Sequence, residues 1–282
     1  MKDGTPSATA QRVARYRAEH QVWDVPAVFA DPLALPILGE DASAVASRPA
    51  QEAPELGALR AFVAVRSRFA EDALSAAFAR GVRQYVILGA GLDTFGYRNP
   101  HDGLRVFEVD HPATQAWKRQ RVSDAGLALP PALTFVPIDF ATQTLFTELD
   151  RHGFEGAAPA FFSWLGVTMY LEGDVVLDTL RAIAAASPGN AVAFDYRIAA
   201  RELSGAAARL AARVALAGEP FRSAFEPQAL AAELRRFGYA RIDDLDASAI
   251  NERYFAGRSD GLQVRGSAHL VSAAGRSAAE RV

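Results

Sequence analysis

The spacing of apolar residues changes near residue 59. Before that point the chain carries one short helical pattern, Ala8–Gln21, followed by a proline-rich path. From Leu59 the apolar residues Phe62, Val65 and Phe69 recur at three- and four-residue intervals, which is typical of a helix with one buried face. A basic residue followed by glycine, at positions 80 and 81, predicts the end of this helix.

Short apolar segments alternate with helical patterns over the rest of the chain. The predicted strands are Gln84–Leu88, Arg105–Val109, Leu133–Pro137, Ala160–Trp164, Ala191–Tyr196, and two late ones near Ala240–Leu245 and Gln263–Val271. The predicted helices are Ala113–Ala125, Leu145–His152, Val175–Ala186, Ile198–Ala217 and Pro227–Phe237. This alternation predicts βαβ units and a parallel sheet. The tail from Ser272 is small and polar, and we expect it to be frayed.

Composition excludes several classes of function. Thirty basic residues against 33 acidic ones, a net charge of -3, give no electrostatic footprint for nucleic acid or an anionic membrane. The absence of cysteine rules out disulfides, thiolate metal sites and a thiol nucleophile. The five histidines form no pair at i, i+4 spacing, so a metal site is not expected.

No segment of the sequence has the pattern of a membrane or export signal. The first twenty residues lack an apolar core, and the longest apolar run, Ala160–Leu171, is too short to cross a bilayer. We therefore expect a cytoplasmic protein without a membrane partner.

A glycine-rich turn follows the first predicted strand. Gly89-Ala90-Gly91 lets the backbone approach a ligand closely, because glycine has no side chain and tolerates unusual dihedral angles. The dinucleotide fingerprint requires a third glycine where this chain has Thr94, and Asp93 would repel a pyrophosphate. The pattern favours a ligand without phosphates, with a nicotinamide-dependent dehydrogenase as the alternative.

Acids follow the next two strands. Asp110 lies 19 residues beyond Gly91, where a carboxylate can accept hydrogen bonds from both hydroxyls of a ribose. Glu108 shares its strand face, so only one of the two is expected to face the ligand. Asp139, with Phe140 beside it, could bind an exocyclic amino group and flank an adenine. The ends of parallel strands meet at one edge of the sheet, so these residues are expected to converge.

The run Gly81–Thr94, together with Arg66–Phe69, Tyr97-Arg98 and Phe107–Pro112, resembles the leucine carboxyl methyltransferase family. Within it, the sequence is most similar to the bacterial branch of S-adenosyl-L-methionine-dependent O-methyltransferases. The similarity covers about residues 60–200, is fainter over Thr9–Leu38 and is weak beyond 220.

This resemblance implies an α/β, Rossmann-like class I methyltransferase fold with a seven-stranded, mostly parallel sheet and an antiparallel last strand. A helical N-terminal cap would occupy residues 1–60, and the methyltransferase domain residues 61–282. A helical insertion is expected at about 198–222.

The resemblance also implies roles for single residues in binding S-adenosyl-L-methionine. Arg66 matches the arginine that holds the methionyl carboxylate, and Gly89, with Ala90 and Gly91, matches the turn under the amino-acid portion. Asp110 matches the ribose-binding acid. Asp139 and Phe140 match the pair at the adenine. An N-terminal basic residue of the family corresponds to Arg15 or Arg17.

The helical pattern gives a separate argument for Arg66. It lies between Phe62 and Phe69 on the buried side of its helix, where a guanidinium is costly unless it is paired. No acid within the helix is spaced to reach it. The carboxylate of the cofactor is a suitable partner, and an acid elsewhere in the fold is the alternative.

The acceptor is predicted from the segment after the fourth strand. Trp164 stands where carboxyl-methylating relatives have an acid, so we expect an oxygen acceptor on a small or medium-sized molecule. Its pocket would include Trp164, Met169 and Tyr170. A protein C-terminal carboxylate as acceptor and a catalytically silent cofactor-binding protein remain alternatives.

No catalytic base can be assigned from the sequence. A carboxylate acceptor is ionised at pH 7 and needs none, whereas a hydroxyl would benefit from one. The four candidates are residue types that are more often structural near a strand end: His111, Tyr170, Tyr196 and His269.

Overall fold

A seven-stranded sheet organises the chain. The structure is a computed structural model that describes residues 8–48, 54–198 and 220–276. The strands are β1 (Gln84–Leu88), β2 (Arg105–Asp110), β3 (Leu133–Pro137), β4 (Ala160–Trp164), β5 (Ala191–Arg197), β6 (Tyr239–Leu245) and β7 (Ala268–Gly275). Their order is β3-β2-β1-β4-β5-β7-β6. The first five strands pair in parallel, and β7 runs antiparallel to β5 and β6. The predicted sheet is confirmed.

Helices cover both faces of this sheet. They are α1 (Ala8–Trp23), α2 (Ala42–Ala46), α3 (Pro54–Ala79), α4 (Phe95–Arg98), α5 (Pro112–Asp124), α6 (Leu145–Arg151), α7 (Gly173–Ala186), α8 (Pro227–Phe237) and α9 (Ala247–Tyr254). Short 3-10 turns lie at Pro36–Leu38 and Thr168–Tyr170. None of the described helices is both long and apolar enough to cross a membrane.

Alternation along the strands produces two hydrophobic clusters. Tyr85 and Ile87 of β1 face a cluster that includes α3 and α9. Val86 and Leu88 face the opposite cluster, which includes α7 and α8. Every residue of β1 and β4 is buried, as expected for central parallel strands covered on both faces. The carboxyl ends of these strands therefore emerge at one edge of a rigid layer.

The last strand differs from its predicted position. The prediction near Gln263–Val271 is wrong in its bounds, and Ser272 belongs to β7 rather than to a frayed tail. Ser272 pairs with Ala193 of β5 on one side and with Asp243 of β6 on the other. Backbone pairing with β5 and β6 keeps this end of β7 in the sheet, although its side chains are too small to indicate a strand in the sequence.

Two helices test the sequence pattern in opposite ways. Helix α9 was not predicted, because its eight residues carry a single fully buried apolar side chain, Ile250. Asp246 caps it by accepting a hydrogen bond from the backbone N–H of Ala249 at 2.8 Å. The predicted helix Ile198–Ala217 lies, from residue 199 on, outside the described residues.

Candidate functional site

A cavity of about 550 Å³ opens at the carboxyl ends of β1 and β4. Its floor is the turn Gly89–Asp93, and one wall is the segment Leu165–Val167 after β4. Helix α1 contributes the face that carries Ala10, Val13 and Arg17, and α3 contributes Arg66. The N-terminal helix therefore closes over the edge of the sheet at which the sequence predicted a ligand.

Close approaches of the backbone explain the glycines of the turn. Gly89 has φ +67°, and a Cβ there would lie 2.5 Å from Cγ2 of Val167. Gly91 has φ +48°, and a Cβ there would lie 3.1 Å from the Cβ of Ala10 in α1. Both positions combine a left-handed backbone with a neighbour too close for a side chain. The turn thus exposes bare backbone to the cavity.

Asp110 ties this turn to the end of β2. One carboxylate oxygen accepts a hydrogen bond from the backbone N–H of Gly91 at 2.6 Å, and the other accepts one from His111 at 2.7 Å. Burial raises the pKa of Asp110, and these two backbone donors oppose that effect. Each oxygen keeps a lone pair, so a side chain that lines the cavity can accept further hydrogen bonds.

Glu108 takes a different role, as expected if only one of the two acids faces the ligand. Its carboxylate is fully buried and lies 2.5 Å from Nζ of Lys118, which is also fully buried. Burial raises the pKa of Glu108 to about 7, with Lys118 opposing the shift. The pair fixes α5 against β2, beneath the cavity.

Arg66 is buried and lines the cavity. Its Nη1 lies 3.2 Å from a carboxylate oxygen of Asp195, whose other oxygen accepts a hydrogen bond from the backbone N–H of Gly166 at 2.5 Å. The guanidinium packs directly on Gly166, where a Cβ would come within 2.6 Å of Nη2. Asp195 is thus the acid elsewhere in the fold, and it holds Arg66 at the cavity wall.

Arg17, rather than Arg15, faces the cavity. Nη2 of Arg17 donates to the backbone carbonyl of Leu92 at 2.6 Å, and its Nε lies 3.2 Å from Asp31. Arg15 is exposed on the other side of α1. Asp31 also accepts a hydrogen bond from the Thr94 hydroxyl at 2.8 Å, so the N-terminal segment is anchored to the glycine turn.

Thr114 is a cavity residue that the sequence analysis missed. Its side chain is 1% exposed, and its Oγ1 finds no hydrogen-bond partner in the described part of the chain. It lies in the first turn of α5, close to the end of β2, and lines the cavity. A buried hydroxyl without a partner is costly, so this one is suited to a polar group of a ligand.

The structure does not bring Asp139 and Phe140 into the cavity lining. Asp139 organises a turn after β3, in which one carboxylate oxygen accepts a hydrogen bond from the backbone N–H of Ala141 at 3.0 Å. Phe140 is 62% exposed. Their role at an adenine therefore stays a prediction from the family resemblance alone.

Of the three residues predicted for the acceptor pocket, Tyr170 lines the cavity and Trp164 and Met169 do not. Trp164 is two residues from Phe162, so both lie on the same face of β4, and both pack in the cluster against α7. Met169 is also buried away from the cavity. Alternation instead directs Ser163 and Leu165 into it, which corrects the prediction for Trp164.

Most of the candidate bases also lie outside the cavity lining. His111 caps α5, its Nδ1 accepting from the backbone N–H of Ala113 at 3.2 Å. Tyr196 and His269 both hydrogen-bond to Asp244 at 2.8 Å. Only Tyr170 of the four lines the cavity, and none of the cavity residues within the described ranges is a histidine or lysine.

These features fit S-adenosyl-L-methionine. A bare glycine turn can take the amino-acid portion, a carboxylate with free lone pairs can take the ribose hydroxyls, and Arg66 can take a carboxylate. Thr114 adds an unpaired hydroxyl. Within the described ranges, no group of three or more metal-ligating side chains is placed to hold an ion.

Known proteins agree with this interpretation. The family model for leucine carboxyl methyltransferase matches residues 10–184. YktD of Bacillus subtilis (strain 168), named as a candidate S-adenosyl-L-methionine-dependent methyltransferase, is 35% identical over 215 residues, 74% of this chain and 70% of that protein. A protein of Mycolicibacterium gilvum (strain PYR-GCK) with the same description is 36% identical over 151 residues, 52% of this chain and 48% of that protein.

A solved structure supports the fold. The crystal structure of a candidate methyltransferase from Thermobifida fusca YX superimposes with a TM-score of 0.58 at 15% identity, covering 98% of this chain and 97% of that one. The family match and the similarity to YktD set the dehydrogenase alternative aside. The chain belongs to the leucine carboxyl methyltransferase family and is an S-adenosyl-L-methionine-dependent methyltransferase with a class I fold.

Proposed function

We propose that this enzyme methylates an oxygen atom, of a carboxylate or a hydroxyl group, on a small or medium-sized molecule. The observation that carries the proposal is the shape and lining of the cavity. About 550 Å³ has to hold the cofactor and the reacting part of the acceptor together. Beyond the glycine turn the lining combines apolar side chains, among them Val13, Leu165 and Val167, with the charged Arg66 and Arg222. Apolar walls with a few polar groups are typical of small-molecule pockets.

Methyl transfer depends on the positioning of donor and acceptor more than on covalent catalysis by the protein. The cofactor supplies a methyl group that its sulfonium has already activated. Asp110 and Arg66 would hold the cofactor, and helix α1 covers one side of the cavity that the acceptor oxygen would enter. Positioning of this kind can supply several kcal/mol of the barrier.

The lining also bears on the acceptor's protonation. A carboxylate oxygen is already ionised and attacks without a base, which suits a cavity whose described lining has no histidine or lysine. For a hydroxyl acceptor, candidate bases in the lining are Tyr170 and the carboxylates of Asp93 and Glu172, and such a base contributes about 10²–10⁴-fold.

The name of the matching family supports a second acceptor class, the terminal carboxylate of a protein. The two classes separate in one experiment. The enzyme is incubated with S-adenosyl-L-methionine labelled in its methyl group and with a cell extract divided by size into protein and small-molecule fractions. Label in a small molecule supports the proposal, and label only in protein overturns it.

Mild alkali then identifies the acceptor oxygen. A methyl ester of a carboxylate releases labelled methanol, whereas a methyl ether of a hydroxyl keeps its label. The Asp110→Ala variant provides the background of the assay.

A further inference from the structure

Arg197 is a charged residue at the acceptor end of the fold that the cofactor site does not use. It is the last residue of β5 and lies two positions after Asp195, so the two side chains share a face of the sheet. Asp195 is engaged with Arg66 at the cavity wall. Arg197 therefore lies beyond the cofactor site, past the carboxyl end of the parallel strands.

Within the part of the chain that the structure describes, the Arg197 guanidinium makes no hydrogen bond or ion pair. Among the residues that the structure describes, it is the only partly buried arginine that makes neither a hydrogen bond nor an ion pair. By contrast, Arg60 binds Asp24 through two hydrogen bonds of 2.7 Å, and Arg98 binds Glu71. Burial lowers the pKa of Arg197, and the neighbouring Tyr170, rather than a carboxylate, opposes this effect. An anion that binds here would stabilise the charged form of this partly buried guanidinium.

An aromatic stack connects Arg197 to the cavity. Its Cζ lies 4.2 Å from the ring centroid of Phe221, and that ring stacks on Tyr170 with centroids 5.6 Å apart and planes at 29°. Tyr170 lines the cavity, as do Pro220 and Arg222 on either side of Phe221. Stacking on an aromatic face restricts the plane of a guanidinium and so prepares it for bidentate binding.

Arg197 itself does not line the cavity, and the three described arginines that do line it already have carboxylate partners. Arg222 lies 3.0 Å from Glu172 in an exposed pair, and Arg66 holds Asp195. Arg17 is held by Asp31. Among the described residues near this end of the sheet, Arg197 is thus the partly buried arginine whose charge no carboxylate balances.

We propose that Arg197 binds an anionic group, a carboxylate or a phosphate, carried by the methyl acceptor apart from the oxygen that is methylated. The proposal rests on the proposed function in taking this end of the fold as the acceptor side. It narrows the substrate class to molecules with an apolar body and a second, anionic end. Arg197 is a specificity determinant in this scheme and takes no part in methyl transfer.

The test uses simple aromatic probes on the full-length protein saturated with S-adenosylhomocysteine. Binding of benzoate, phenyl phosphate and the neutral benzyl alcohol is measured by ligand-observed NMR for the wild type and for Arg197→Met. The matched control is Arg181→Met, because Arg181 also lies over an aromatic ring, Phe237 at 5.0 Å, but is exposed and paired with Asp178. The variant Arg197→Lys keeps the charge without the planar fork.

We expect at least one anionic probe to bind the wild type and to bind Arg197→Met at least fivefold more weakly. Arg181→Met should match the wild type, Arg197→Lys should lie between, and benzyl alcohol should not respond to any substitution. Phosphate or carboxylate is then identified by the probe that binds. Absence of anion binding to the wild type, or equal binding to Arg197→Met, overturns the proposal. Affinity for S-adenosylhomocysteine, measured alongside, reports separately on the cofactor site.

Discussion

Replacing Arg66 by lysine tests the centre of the cofactor site. One guanidinium nitrogen of Arg66, Nη1, contacts Asp195, and the side chain also lines the cavity. A lysine has a single ammonium group, and in this buried place it is expected to stay with Asp195. The ion pair would survive, whereas the donors directed at the methionyl carboxylate would be lost.

The size of the effect follows from the bonds removed. Hydrogen bonds to a charged group are worth about 1.5–3 kcal/mol, so the dissociation constant should rise by about 10- to 150-fold. Ligand stabilisation follows affinity. At a concentration of 100 times the wild-type dissociation constant the cofactor product adds about 2.7 kcal/mol to the wild type, and about 0.9 kcal/mol to a variant weakened about 30-fold.

Two measurements separate binding from structure. Calorimetry gives the affinity for S-adenosylhomocysteine, and thermal unfolding with and without that ligand gives the stabilisation. Arg68→Lys on the same helix is the matched control, because Arg68 is exposed and pairs with Asp72 at 2.8 Å. A destabilised Arg66→Lys protein with wild-type affinity would refute the reasoning and leave Arg66 as the partner of Asp195 alone.

Three further substitutions probe the floor of the site. Asp110→Ala should weaken S-adenosylhomocysteine binding in calorimetry by about 10- to 150-fold; unchanged affinity would contradict the ribose role. Gly89→Ala should destabilise the protein in thermal unfolding by at least about 1–2 kcal/mol for the left-handed backbone, and more through its contact with Val167; wild-type stability would contradict the close approach. Lys118→Met should cost about 3–5 kcal/mol at pH 8, measured by urea unfolding. Burial already raises the pKa of Glu108 to about 7, and the loss of Lys118 should raise this pKa further. The loss of stability in Lys118→Met should therefore be smaller at pH 5.5, where the Glu108 carboxyl is neutral in the folded protein. An equal loss of stability at both pH values would contradict this explanation.

The sheet could be predicted because its central strands are buried on both faces. Such strands appear in the sequence as short continuous apolar runs, and Gln84–Leu88 and Ala160–Trp164 have the predicted bounds. The edge strand Leu133–Pro137, which is only partly buried, has its predicted bounds as well. The last strand could not be predicted in this way. Its position is set by pairing with β5 and β6, and the alanine, serine and glycine of residues 272–275 carry no local signal for that pairing.

The site was predictable where it follows strand ends and glycines, and it was not where distant segments meet. Asp110 and Gly91 were found from spacing and lie in direct hydrogen-bond contact. Asp195 holds Arg66 across 129 positions of sequence, a pairing that no local pattern contains. Trp164 was misassigned because the prediction followed the family motif, whereas the alternation of β4 sends its neighbours Ser163 and Leu165 to the cavity.

Thr114 allows the cofactor site to be tested through opposite effects on stability and affinity. Its hydroxyl is buried, lines the cavity and has no partner in the described ranges. Thr114→Val keeps the shape and removes the unpaired hydroxyl, so the ligand-free protein should unfold at the same or a higher temperature, by up to about 1–3 kcal/mol of relieved desolvation. If the hydroxyl bonds the cofactor, affinity for S-adenosylhomocysteine should fall by about 1 kcal/mol, close to fivefold. Unchanged affinity in paired unfolding and calorimetry experiments, whatever the change in stability, would remove Thr114 from the site.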